Sequence, residues 1–127
     1  MWKLIAGTIL GAVAWLGVVT LLDVAMRHNW HDYGAVEKAM TFTLPMMIAR
    51  LSESAVSSVV GGFVAALVDR DGRAPLLAGT LLLLLFAPEH YMLWARFPIW
   101  YHLTFLISLP LLSAIGGRLR GAKATTA

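Results

Sequence analysis

Five ionisable side chains carry most of the chemistry this sequence could perform: Arg50, Glu53, Glu89, His90 and His102. Each lies within or at the edge of an apolar run, where a charge is costly and normally faces protein or trapped water. Arg50 and Glu53 stand three residues apart, so one helical face presents both and an ion pair is expected; Ser52 and Ser54 add hydroxyls beside them. A carboxylate and an imidazole at the same depth can exchange a proton. Glu53 or Glu89 acting with His90 or His102 would therefore make a ligand, ion or proton site. The plainer reading is a structural polar knot, with Arg50 reaching toward headgroups and the histidines hydrogen-bonded.

His28 and His31 have a spacing that can present two metal ligands on one helical turn, and with Met26, Met40, Met46, Met47 and Met92 they form a set suited to copper(I). Methionine is equally an ordinary apolar residue, so the expectation is no metal, with His28 and His31 as the residues to watch. His90 and His102 could ligate a haem iron from two helices but carry no attachment signature, and no cofactor is expected. The sequence has no GxSxG, no HExxH and no glycine-rich phosphate loop. Gly116-Gly117-Arg118 reads as a helix end with basic anchoring. Cysteine is absent, which excludes structural disulfides and thiol redox chemistry. Enzyme activity is not expected.

The elements that must position these groups follow from composition. With 59% hydrophobic and 13% charged residues, the chain carries more apolar surface than a soluble domain of 127 residues can bury. Crossing about 30 Å of hydrocarbon takes roughly 20 helical residues. The expected architecture is all-α: one membrane domain over 1–127, a four-helix bundle with spans of about 4–23, 45–68, 75–94 and 98–117. Met1-Trp2-Lys3 and the apolar run behind it look like a secretory signal, but Ala12-Val13-Ala14 comes too early to be its cleavage site, so the run reads as the first span. Pro75 suits the first turn of the third span and Pro98 opens the fourth. The third must run through Pro88 to about Trp94 to be long enough, which predicts a kink at Pro88. Asp32 is placed to cap a short interfacial helix through Lys38, and Ala124 to Ala127 read as an irregular tail.

The charges orient the bundle. Lys3, Arg70, Arg73, Arg118, Arg120 and Lys123 fall on one side, against Arg27, Lys38 and Arg96 on the other, which predicts an inner-membrane, multi-pass protein with both termini cytoplasmic. Trp30, Tyr33, Tyr91, Trp94, Trp100 and Tyr101 then read as anchors at the outer interface, and Trp2 marks the inner one. Basic residues at span ends explain the formal net charge of +3, and no nucleic-acid partner is expected. Counted from the cytoplasmic ends, Arg50 and Glu53 lie about 28 and 24 Å up, Glu89 and His90 about 21 to 23 Å, and His102 about 24 Å. Three helices thus place ionisable groups in the outer third.

Small residues supply the contacts. Ser54, Ser58, Gly62 and Ala66 recur every four residues in the second span beside a second stripe, Ser57, Gly61 and Ala65, while Gly7 and Gly11 form a GxxxG pair in the first. Such faces bring backbones close, either inside one chain or between chains. In size and span count the sequence is similar to small four-helix transporters of the multidrug type. That resemblance implies an essential glutamate in the first span, whereas here no acid precedes Asp23, and their activity is not carried over. Two functions are expected from these features. The first is a non-enzymatic inner-membrane protein acting through helix contacts, by self-association or with partner membrane subunits. The alternative is an ion- or proton-coupled small transporter or channel built on the outer polar layer.

Overall fold

In the computed structural model, residues 1–69 and 73–126 are described, with side chains as far as Arg120. Arg70 to Gly72 of the expected charged turn, the Lys123 side chain and Ala127 of the expected tail lie outside the described residues. All regular structure among the described residues is helical: α1 (Trp2–Asn29), α2 (His31–Val36), α3 (Leu44–Val68), α4 (Arg73–Met92) and α5 (Ile99–Thr126), with a 3-10 turn at Trp94–Arg96. Four of them, α1, α3, α4 and α5, are long and apolar enough to cross a membrane. The shortest, α4, still has 20 residues, about 30 Å at 1.5 Å each.

The helix ends differ from the sequence expectations for local reasons. The first helix continues past Asp23 because Val24, Ala25 and Met26 are compatible with helix and Arg27 pairs back to Asp23 at i,i+4; Trp30 N–H closes it on the Met26 carbonyl at 2.8 Å. Asp32 does not cap α2. That place belongs to the extended Trp30, leaving Asp32 exposed in the first turn beside His31, and α2 ends at Val36, short of Lys38. Thr43 caps α3, its hydroxyl accepting from Met46 N–H, with Pro45 in the first turn. Pro88 lies within α4, which ends at Met92 rather than Trp94, and a second proline, Pro110, lies within α5. At the C-terminus, helix runs to Thr126 where an irregular tail was expected, since Ala122 and Ala124 favour helix.

Contacts run around a ring in the order α1, α3, α5, α4. The register of close contacts gives each direction. Gly7 and Gly11 meet Ala65 and Gly61, so α1 and α3 are antiparallel, while Gly7 and Gly11 also meet Ala74 and Ala78, so α1 and α4 are parallel. Likewise α3 and α5 are parallel, and α4 and α5 antiparallel. The N-terminus, Asp69 and Arg73 thus share one end, here the terminal end; α2 and the 3-10 turn occupy the other, the loop end.

Near the terminal end, the helices touch backbone to backbone. A methyl group on Gly11 would stand 2.8 Å from the Gly61 carbonyl oxygen, and one on Gly62 would overlap the Ser113 carbonyl. Gly116 is set the same way against Val59, and Gly79 against Leu109 and Pro110. Asp69 is buried and accepts from the Ala74 N–H at 3.2 Å, satisfying one of the free donors at the start of α4. Midway along, Trp15 is buried against Phe86 and Phe105, and its Nε1–H donates to Ser58 Oγ at 3.0 Å. This aromatic trio is the floor of everything above it.

Candidate functional site

Above that floor the helices enclose a cavity of about 360 Å³. Trp15, Phe86 and Phe105 line it from below, and Asp23, Glu37, Arg50, Glu53, Glu89 and His90 bring ionisable groups to its sides. Leu16 and Thr20 of α1 and Glu89 of α4 are exposed as well as lining it, so the cavity opens sideways between α1 and α4. The connection into α3 also borders it at Met40. That residue holds φ 55°, a left-handed conformation uncommon for a side chain other than glycine.

The expected Arg50–Glu53 pair does not form. Arg50 instead donates from Nη1 to Tyr33 Oη at 2.7 Å and from Nε to Tyr101 Oη at 3.1 Å, and its guanidinium lies 4.6 Å from the Phe42 ring centroid. The fork of donors is turned away from α3's own carboxylate toward two hydroxyls and a ring. Tyr33 then donates to Asp23 at 2.8 Å, and Arg27 holds both Asp23 and Glu37 at 3.4 and 3.3 Å. A continuous network therefore runs from Arg50 through Tyr33 and Asp23 to Arg27 and Glu37. Burial raises the Tyr33 phenol well above its ordinary pKa; Arg50 opposes this and Asp23 reinforces it, so Tyr33 stays a hydroxyl able to bond both. Burial also raises the Glu37 carboxyl, helped by its hydrogen bond to Asp23 and by that residue's charge, against the pull of Arg27 and Arg50.

Tyr33 and Tyr101, expected as interface anchors, are 0% and 3% exposed. They belong to a row of rings across the loop end: Tyr33 stacks on Phe42, Phe42 on Phe97, and Phe97 on Tyr101. Tyr91, Trp94 and Trp100 remain exposed. His90 and His102 meet directly, Nδ1 to Nδ1 at 2.7 Å, and His102 Nε2 lies 3.2 Å from the Trp94 carbonyl. A carbonyl only accepts, so His102 carries its proton on Nε2, its Nδ1 accepts, and His90 donates from Nδ1. One proton on each ring satisfies both bonds. Among the described residues no hydrogen bond links Glu53 or Glu89 to either histidine.

Glu53 is left without its expected partner. Its Oε1 is buried with no hydrogen-bond donor among the described residues, and neighbouring Ser54, 1% exposed and also lining the cavity, has an equally unpartnered Oγ. Leaving such an atom unsatisfied costs about 1–3 kcal/mol; a third, Ser113 Oγ, lies in the packed contact with Gly62, but these two stand side by side on the cavity wall. By contrast Ser57 and Ser58 close onto the carbonyls of Glu53 and Ser54.

Of the expected sites, Arg50, Glu53, Glu89 and His90 thus come to one cavity, with His102 behind His90. Gly7, Gly11, Ser58, Gly62 and Ala66 are buried within the bundle, and Ser54 is buried at the cavity wall. His28 and His31 are exposed, and no group of three or more His, Asp or Glu side chains among the described residues is placed to hold a metal ion. Trp15, Asp23, Tyr33, Phe42 and Tyr101 were not foreseen as site residues. Only the need of a buried Arg50 for acceptors pointed to the tyrosines, and sequence spacing could not say which. Comparison with known protein families, curated proteins and solved structures finds no match for this chain.

Proposed function

We propose that the chain is a small proton-linked transporter of a cell's inner membrane, with both termini cytoplasmic and the cavity in the outer part of the bilayer. The orientation rests on the excess of Lys and Arg at the terminal end. The observation that carries the function is the convergence of two unpartnered buried polar atoms, Glu53 Oε1 and Ser54 Oγ, on a cavity of about 360 Å³ floored by aromatic rings. Organic ligands bind in mostly apolar cavities of about 300–1,000 Å³ that hold a few placed polar groups. A carboxyl group there can be neutral when protonated or charged when it accepts from a ligand, and alternating between the two couples proton to ligand. Pro88 borders this part of α4, and a kink there would let its upper turns move against α1.

Association through small-residue faces is the other expected function; the glycines of those stripes, Gly7, Gly11, Gly61 and Gly62, make close contacts within the chain. Reconstitution separates the two. Vesicles holding the full chain and loaded with a pH-sensitive dye should show proton movement, beyond that of protein-free vesicles, when small aromatic amines, acids or alcohols are added in turn. Glu53→Gln should abolish the excess. No excess from the unmodified chain with any of the three classes would sink the transporter reading.

A further inference from the structure

We infer that the ligand of this cavity is a protonated primary or secondary amine carrying an aromatic or compact apolar body, an inference that rests on the cavity being a binding site. Glu53 Oε1 needs a hydrogen-bond donor, and Ser54 Oγ beside it can accept a further N–H. The charge of the lining points the same way. Asp23, Glu37, Glu53 and Glu89 supply four carboxylates against the single guanidinium of Arg50. Asp23 and Glu37 are already held by Arg27, and Arg50 makes its two hydrogen bonds to Tyr101 and Tyr33 and none to Glu53, so Glu53 and Glu89 are the carboxylates of the lining that have no cation paired to them among the described residues.

The body of the ligand follows from the floor and the opening. Trp15, Phe86 and Phe105 present ring faces and edges, favourable both to an apolar group and to a cation held near them. On the α1 side of the opening the outward residues are uncharged, Leu16 and Thr20, and on the α4 side Glu89 is the first acid an entering amine would meet. An amine that partitions into lipid can reach such an opening from the side. The requirement for N–H donors makes the inference selective, because a quaternary ammonium has the charge without the donor and cannot satisfy Glu53 Oε1.

The test is calorimetric titration of the full chain in lipid nanodiscs with four related probes: 2-phenylethylamine, its N,N,N-trimethyl counterpart, 3-phenylpropionate and 2-phenylethanol. The amine should bind at least ten-fold more tightly than each of the others, and Glu53→Gln should weaken it ten-fold or more. The probe series is read on the unmodified chain, so the inference stays testable should the variant not fold. Equal binding of the trimethyl compound or the alcohol, or tighter binding of the acid, would overturn the amine and leave the cavity standing as a site. If none of the four binds, the cavity reading falls as well.

Discussion

The two ends of this bundle are built from the same four helices by opposite means. Toward the terminal end, glycine lets backbones touch, as at Gly11 against Gly61 and Gly62 against Ser113. Toward the loop end the residues at corresponding positions are Trp15, Phe86, Phe105, Arg50 and Tyr101, whose bulk and polarity hold the helices around a cavity. Membrane helices gain little from hiding apolar surface, since lipid is as apolar as leucine, so close packing must supply the cohesion. The contrast teaches that close backbone contact at one end supplies the rigidity that allows the other to hold a cavity open.

The sharpest way to break that comparison is to spoil the packed end. Gly62→Ala drives a methyl group into the Ser113 carbonyl, a backbone atom that cannot swing aside, and should cost about 3 kcal/mol of unfolding free energy in micelles. Gly17, which has nothing within 4 Å of an added methyl group, is the matched control: Gly17→Ala should leave stability unchanged or slightly raised. Equal unfolding curves for the two variants would mean that the glycine contacts do not hold the bundle.

The next effect lies at the loop end. Tyr33→Phe removes the hydroxyl that accepts from Arg50 and donates to Asp23, and should cost about 2 kcal/mol, typical of a buried bond to a charged group. Tyr101→Phe breaks one bond, at 3.1 Å, and should cost about 1.5 kcal/mol. Each loss should shrink in a chain already carrying Arg50→Met, because the partner is gone; full additivity in that double-mutant cycle would show that the tyrosines act by packing alone.

This difference between the ends also explains what could be read in advance. Helix number, approximate bounds and the small-residue stripes are written in local periodicity, and Gly62 or Ser58 announces a close approach whatever lies opposite. Glu53, Glu89, His90 and His102 could be placed at one depth by counting residues. Their partners could not. Arg50 has a carboxylate three residues away on its own helix, yet its hydrogen bonds go to Tyr33 in α2 and Tyr101 in α5, choices set by how three elements pack. The parallel pairing of α3 with α5, which brings Tyr101 to Arg50, is a property of the ring order and leaves no mark in either helix's own pattern.

The smallest effect separates the ends by pH. Glu37 lies outside the spans, and its carboxyl pKa is raised above the ordinary 4.5 by burial and by Asp23, so the folded chain holds this proton more tightly than the unfolded one. The stability that this contributes is complete below pH 4.5 and is lost as pH rises through the higher folded value. Glu37→Gln, which resembles the protonated acid, should therefore melt above the unmodified chain at pH 7, with the gap closing near pH 4. The effect should be modest because the side chain is partly exposed and the substitution also removes the Arg27 contact at 3.3 Å. A variant that melts lower at pH 7 would instead mean that the ion pair with Arg27 outweighs the burial of the carboxylate, and the loop end would then be held closed by charge as firmly as the terminal end is by glycine.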